Sequence, residues 1–554
     1  MKRMLNEASA FREEMIAGYT SAYGRYLHRV PGTSGVMANG VPAPGRVSVV
    51  VGGGSGHYPA FYGLVGQGLA SAAAIGDIFT SPSGEQCYRV AKVVDGSAGI
   101  LFSFGNYSGD VMNFGMAEAR LRAEGVDART VLVTDDVLSA SREEADQRRG
   151  IAGGFFVFKS AGASAARGDS LDDVEALTRH ANSRVRTAGI GFAGCTVPGQ
   201  DQPLFSVAPG QMEIGLGIHG EPGVRVAEQM PSREIAAMLV ETLIAETPQG
   251  AGSDVAALLD RSGLASYNPL IGEFVTSLDM TGMSLSLFWL DDDLKSLLDA
   301  NALSPAFTSI GPDIARATES TTSVIGPAPA FTEAISTSEE DDIPGGEFGE
   351  QARAALRQAL ATIEEMESEL GRLDAAAGDG DHGAGMVRGL RAAVNAIDGF
   401  GGTARQTFRR GGIAFQNAAG GASGALVGAW LIAVGTGLPD QDEAVDPPAL
   451  ARAFDEALAT LQRLGQAQPG DKTMIDTLAP FSTALNEAVA IGQDISQSWA
   501  AALPAAAAGM LSTIDMVSRR GRASRLGERS RGVQDAGATS IYHVLHAFGA
   551  GFKG

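Results

Sequence analysis

The chain has 554 residues, a formal net charge of −22, 44% hydrophobic and 19% charged residues. That length is more than one core can use and points to three or four domain-sized units, while so acidic a surface excludes nucleic acid and anionic membrane as partners. Two cysteines, Cys87 and Cys195, lie far apart and exclude a disulfide framework.

In chain order, the N-terminal stretch MKRMLNEASAFREEM has no signal-peptide apolar core, so a soluble, cytoplasmic protein is expected. Arg46–Val51 (RVSVVV) is a β-branched run leading into GGGSGH. Gly99–Phe104 (GILFSF) leads into GNYSGD, and Thr130–Thr134 (TVLVT) into two aspartates. Apolar strands that end in Gly-rich or acidic loops and alternate with helical segments predict a parallel, doubly wound sheet, with ligands beyond the carboxyl ends of its strands. Around Glu319–Phe348 the sequence turns rich in Ser, Thr, Pro and acid without periodicity, as a linker does. Beyond it Leu356, Leu360, Ile363, Met366, Leu370 and Leu373 recur every three or four residues, and Ala-rich helical segments continue to the end. Ala425–Val434 (ALVGAWLIAV) is too short to span a bilayer and reads as a buried helix. The expected architecture is multidomain: α/β over 1–320, a linker over 321–347, and an all-α region over 348–554.

LDAAAGDGDHG places Asp374, Asp379 and Asp381 close together at the end of the first of these helices. On an uninterrupted helix Asp379 would point roughly 140° away from Asp374, but Gly378, Gly380 and Gly383 permit a loop that turns the carboxylates inward. Convergent carboxylates repel one another unless a hard cation lies between them, and Mg²⁺ fits best. GGASG at 420–424 precedes a helix, so its N–H groups suit phosphate. GDKTMID at 470–476 offers Lys472 and Thr473, but the spacing and the lack of a preceding strand rule out a P-loop. GRASRLGERS and QDAGATS are two more polar, Gly-punctuated loops. Together such loops would line one end of a helical barrel and cradle a nucleotide. In the N-terminal region His57, Asp110 and His219 all stand on Gly-rich loops, a pattern that favours catalysis over three structural residues.

These motifs together resemble the dihydroxyacetone kinase family over nearly the whole chain. VVGGGSGHYPAF, GDIFTSPS, GNYSGDVMNFGMA, RRGIAGG, CTVPG and GLGIHGEPG follow the order of its substrate-binding K domain. LDAAAGDGDHG, GGASGAL, GDKTMID, GRASRLGERS and QDAGATS follow its nucleotide-binding L domain. The fusion of both in one chain is similar to the ATP-dependent members. The resemblance implies a K domain of two subdomains, dividing near residue 185, and an L domain built as an eight-helix barrel. It implies that His219 adds to the ketone of a short ketose as a hemiaminal. Asp110 and His57 would hydrogen-bond and deprotonate the terminal hydroxyl. Gly54, Ser55, Gly56, Ser81 and Gly105 would line the substrate pocket. Asp374, Asp379 and Asp381 would bind two Mg²⁺ ions that bridge the ATP phosphates. His382, Gly383, Ala422, Ser423, Gly424, Lys472, Thr473, Met474, Arg522, Asp535 and Gly537 would contact the nucleotide. A homodimer that pairs the K domain of one chain with the L domain of the other is implied as well.

The sequence departs from the family pattern at two pocket positions, where Gly105 replaces a lysine and Tyr58 a glutamate. Losing both charges points to a ketose larger than dihydroxyacetone, such as erythrulose. In the L domain Arg525, Val533 and Ala536 replace the commoner Tyr, His and Pro. Two other readings are an FAD-AMP lyase that forms cyclic FMN at the same metal site, and a non-catalytic regulator, which the intact His57, Asp110 and His219 disfavour.

Overall fold

The computed structural model describes residues 6–198, 203–252, 254–255, 265–267, 269–310, 343–375, 380–520, 528 and 530–552. The chain divides into two compact units, Met1–Glu333 and Ala334–Gly554.

In the first unit, α1 (Phe11–Ala22) precedes β1 (Leu27–Arg29), β2 (Val36–Ala38), β3 (Ser48–Ser55) and β4 (Ala72–Ile78). After these come α2 (Gly84–Val93), β5 (Ile100–Gly105), α3 (Ser108–Ala123), β6 (Ala128–Val133), α4 (Gly154–Arg167) and α5 (Leu171–Arg184). The six strands form one sheet in the order β1-β2-β4-β3-β5-β6. β4, β3, β5 and β6 are parallel, as the apolar runs predict. The sheet as a whole is mixed, however, because β1 and β2 extend it antiparallel at one edge.

The continuous Val49-Val50-Val51 run reflects burial on both faces. Val49 and Val51 pack with Phe155, Phe158 and Val174 of α4 and α5, while Val50 packs on the other side with Val90, Phe114 and Leu121 of α2 and α3.

The rest of the first unit adds β7 (Val185–Gly191), β8 (Gln211–Ile214), β9 (Arg225–Glu228) and α6 (Ser232–Ala245). It continues with the short parallel pair β10 (Asp254–Val255) and β11 (Ala265–Ser266), then β12 (Gly282–Phe288) and α7 (Asp292–Asp299). The antiparallel pair β13 (Ala302–Leu303) and β14 (Thr308–Ser309) follows. β12-β7-β8-β9 form a second, wholly antiparallel sheet. Ile235, Leu239 and Leu243 of α6 cover it.

The described part of the second unit contains eight α-helices: α8 (Glu347–Ala375), α9 (His382–Ile397), α10 (Ala404–Ala419), α11 (Gly421–Gly437), α12 (Pro447–Gly465), α13 (Ile475–Ala490), α14 (Ile495–Ser512) and α15 (Ala536–Gly551). Each packs on the next, and α15 packs back on α8, which closes the ring. The α8 stripe is buried at Leu356, Ile363, Leu370 and Leu373. Trp430, Leu431 and Val434 of α11 lie in the core, as expected of an all-apolar helix. Capping boxes start α10 (Thr403 with Gln406) and α14 (Asp494 with Gln497). Residues 321–342 of the expected linker lie outside the described residues. Among the described residues no helix is long and apolar enough to cross a membrane.

Candidate active site

The Gly-rich loops of the first unit meet beyond the carboxyl ends of the parallel strands. β3 ends at Ser55, two residues before His57, and β5 ends at Gly105. Asp110 lies in the first turn of α3 rather than on the strand tip itself, and His219 lies between β8 and β9. One cavity takes in Gly54, His57, Gly105, Asp110 and His219 together, with Tyr107, Ile151 and Phe158 in its wall. The residues expected to perform chemistry therefore share one space although up to 162 positions separate them in the chain (219 − 57).

The close packing explains the glycines. A Cβ on Gly54 would lie 2.6 Å from the Thr80 nitrogen and 2.7 Å from the Phe79 carbonyl carbon, so any side chain there would push the β3 and β4 ends apart. Gly56 has φ +96°, a backbone that L side chains rarely adopt. Ser55, Gly56 and Ser81 stand beside this cavity without lining it. Ser55 is buried at the end of β3, and the buried Ser81 Oγ accepts a hydrogen bond from Asn113 Nδ2 (3.4 Å). Tyr58 does not line the cavity either. It is partly exposed and packs against Tyr62 and Tyr19, with ring centroids 5.6 and 6.0 Å away. Of the two departures from the family pattern, only Gly105 faces the cavity.

His57 and His219 are buried, and their rings meet edge-on with centroids 4.7 Å apart. His57 Nδ1 lies 2.8 Å from the Thr276 carbonyl oxygen. A carbonyl only accepts, so Nδ1 carries the proton and Nε2 of the neutral ring has the lone pair a base requires. His219 is held on two sides: its Nδ1 lies 2.8 Å from Glu221 Oε1, and its backbone N–H donates to Glu221 Oε2 (3.0 Å). The Tyr107 ring stands edge-on to His219 at 4.6 Å, and its hydroxyl donates to the Gly150 carbonyl (3.1 Å).

The sequence reading missed Glu221, Tyr107 and Arg149. Glu221 had a signal, being a carboxylate two residues beyond His219 in GLGIHGEPG. Arg149 lies in the RRGIAGG motif, but its role did not show in the sequence, because Gly215 and Glu221 reach it from the second sheet.

In the second unit the predicted nucleotide residues gather where α9, α11, α13 and α15 begin. His382, buried in the first turn of α9, bridges Ser423 Oγ of α11 (Nδ1, 3.0 Å) and Ser540 Oγ of α15 (Nε2, 2.8 Å). Burial holds its pKa down to about 4, with Asp381 opposing, so the ring is neutral. Gly383 is buried, and a Cβ there would lie 2.1 Å from the Glu367 carbonyl oxygen. Ala422, Ser423 and Gly424 lie inside the first turn of α11, whose helix starts within GGASG rather than after it. Met474, the N-cap of α13, lies near Gly537 in the first turn of α15 (Met474 Cε 3.7 Å from a Cβ built on Gly537). Thr473 N–H donates to Asp476 Oδ2 (2.8 Å). Lys472 is buried, and its ammonium donates to the Thr513 and Val533 carbonyls (2.5 Å each), so it ties loops together at this end of the ring. Four helix N-termini pointing the same way give a positive end suited to polyphosphate.

Carboxylates accompany them. Asp374, near the end of α8, accepts from His382 N–H (3.3 Å), and Asp381 is the N-cap of α9. Asp535 caps α15 by accepting from Ala538 N–H (2.7 Å), and its pKa is raised to about 6 by burial, with neighbouring Asp374 adding to the rise. Carboxylate oxygens are the hard donors that a divalent cation such as Mg²⁺ takes, but among the described residues no group of three metal-ligating side chains is gathered closely enough to hold one. Asp379, Arg522 and Arg525 lie outside the described residues.

Comparison with known proteins agrees with both halves. The Dak1 domain model matches residues 17–265 and 252–306, and the DAK2 domain model matches 376–550. The chain is 41% identical to a D-erythrulose kinase of Mycolicibacterium smegmatis, over 98% of this chain and 97% of that protein. It is 39% identical to an L-erythrulose kinase of Pectobacterium atrosepticum (99% and 96%) and 30% identical to a triokinase/FMN cyclase of Rattus norvegicus (99% and 98%). Among solved structures, the dihydroxyacetone kinase from C. freundii in complex with AMP-PNP and Mg²⁺ aligns over 99% of both chains, with TM-score 0.50 and 26% identity. With both domains matched and relatives aligned end to end, the chain belongs to the dihydroxyacetone kinase family, in the form that carries the Dak1 and DAK2 domains in one polypeptide.

Proposed function

We propose that the protein is an ATP-dependent kinase that phosphorylates the terminal hydroxyl of a ketotetrose such as erythrulose. The observation that carries the reading is the cavity that unites His57, Asp110 and His219 with Gly105 in its wall. The two erythrulose kinases near 40% identity over the full chain support the substrate class.

In this reading Nε2 of neutral His219 bonds to the ketone carbon, and the carbonyl oxygen becomes a hydroxyl. The adduct selects carbonyl substrates, because glycerol cannot form it. The terminal hydroxyl lies toward Asp110 and His57. His57 Nε2 takes its proton as the oxygen attacks the γ-phosphorus of ATP, and ADP leaves. Residues of α9, α11, α13 and α15 hold the nucleotide. Asp374 and Asp381, with Asp379, would hold Mg²⁺, which when bound neutralises the phosphate charge. Assembly as a homodimer belongs to the same reading and is tested by sedimentation.

The test is an ATP/Mg²⁺ assay on dihydroxyacetone, D- and L-erythrulose, glyceraldehyde and glycerol. One erythrulose should give the highest kcat/KM and glycerol none. A higher kcat/KM with dihydroxyacetone than with either erythrulose sinks the ketotetrose assignment. No turnover of any of them, with FAD converted to cyclic FMN in Mn²⁺, would replace the kinase with the lyase.

A further inference from the structure

His219 is held by a buried chain of charges that begins in the other sheet. Asp136 follows β6, and its Oδ2 lies 2.7–2.8 Å from the Arg149 guanidinium, at both Nη2 and Nε. Arg149 Nη2 also donates to the Gly215 carbonyl (2.8 Å), and Nη1 stands 4.0 Å from Glu221 Oε2. Glu221 in turn grips the His219 ring and backbone. All four side chains are buried: Asp136 and Arg149 are 1% exposed, and Glu221 and His219 are 6% exposed. Space for the chain exists because residue 217 is glycine. A Cβ there would sit 2.1 Å from Glu221 Oε2 and 2.4 Å from Arg149 Nη1.

We propose that Glu221 is a positioning residue for His219, and that Arg149, anchored by Asp136, keeps Glu221 ionised and in place. An ionised carboxylate only accepts, so the 2.8 Å contact puts the proton of His219 on Nδ1. Nε2 then carries the lone pair in a residue that lines the cavity. Without a charged neighbour the buried carboxyl of Glu221 would favour its protonated form, which would no longer dictate the tautomer. Arg149 opposes that.

The chain also matters once the adduct forms. When Nε2 bonds to the ketone carbon, the C=O π pair moves to oxygen, which takes a proton from solvent. The ring keeps Nδ1–H and is then a cation. Two carboxylates against one guanidinium leave the buried chain with one net negative charge beside that cation, and the adduct is stabilised. This second consequence rests on the reading of His219 as the nucleophile; the tautomer assignment stands without it.

The experiment uses the full chain labelled with ¹⁵N-histidine and a ketose carrying ¹³C at its carbonyl carbon. His219→Ala identifies the His219 ring signals. The resting wild type should show His219 with Nδ1 protonated and Nε2 bare, and Glu221→Gln should mix the tautomers. In the ketose titration the ¹³C signal should move from the ketone to the tetrahedral region. Glu221→Gln should need at least ten-fold more ketose, with the KM for ATP within two-fold of wild type. Glu221→Asp, which keeps the charge, should recover part of the loss, a rescue that a packing role alone would not produce. A wild-type His219 protonated on Nε2 overturns the proposal without any variant, which covers the case in which Glu221→Gln does not fold. Ketose affinity in Glu221→Gln equal to wild type overturns it as well. A wild type that turns over ketose without a tetrahedral signal refutes His219 as the nucleophile, while the tautomer measurement still decides the role of Glu221.

Discussion

Gly105→Ala is the sharpest perturbation of the cavity. A Cβ at 105 would stand 2.8 and 3.0 Å from two carbons of the Tyr107 ring and 3.2 Å from the Gly150 carbonyl oxygen. Carbon atoms rest in contact at about 3.5 Å, so the ring must retreat by about 0.7 Å. It cannot do so freely, because its hydroxyl is hydrogen-bonded to Gly150 and its ring stands edge-on to His219. Overpacking of this kind costs about 1–3 kcal/mol. If about 1.4 kcal/mol of that falls on the reacting geometry, kcat/KM for the ketose drops about ten-fold. The drop should be larger for erythrulose than for dihydroxyacetone, since the added methyl takes room the longer substrate needs. The KM for ATP should not move, because the nucleotide residues belong to the other unit. Steady-state kinetics on both ketoses with a thermal melt would check this. An unchanged melting temperature with kcat/KM within two-fold for both substrates would refute the argument and mean that the Tyr107 wall has slack.

Three further outcomes are expected. His219→Ala should lose turnover of every ketose while nucleotide binding, measured by calorimetry, is retained; surviving turnover would exclude the covalent route. Asp135 is fully buried, and burial raises its pKa to about 6 despite N–H donors from Ile151 (2.7 Å) and Gly153 (2.8 Å). A carboxyl with a raised folded pKa binds its proton more tightly when folded, so its stabilising contribution is present below about pH 4 and is lost as pH rises through about 6. Two units amount to about 3 kcal/mol, and denaturant titrations of wild type and Asp135→Asn at pH 4 and 7 should differ by that change, shifting against the wild type at pH 7. Trp499→Ala should cost the helical unit about 3–5 kcal/mol. It removes a buried ring packed on Phe454, Phe481 and Phe552, together with an indole N–H donated to the Leu545 carbonyl (2.9 Å), and a urea transition would read the loss.

Features whose physics is local were legible in the order of residues alone. Three valines in a row could only be a strand buried on both faces, and Leu356 to Leu373 could only be an amphipathic helix. The glycines around His57, Asp110 and His219 marked backbone that must come close to something. Ordered motifs were enough to point to the family. What the sequence left undetermined depends on which distant surfaces meet. The short strands β1 and β2 carry no turn signal strong enough to reveal an antiparallel edge on a parallel sheet. GGASG looked like a loop, because glycines are poor helix formers, yet tertiary packing drew it into the first turn of α11. The resemblance offered Lys472 as a nucleotide contact, and only the folded ring brought the Thr513 and Val533 carbonyls to its ammonium. Above all, the chain from Asp136 through Arg149 to Glu221 joins segments from two sheets, and no spacing encodes it. Charges in water impose no pattern on the residues between them; only burial, which strips their solvent, forces them to find one another.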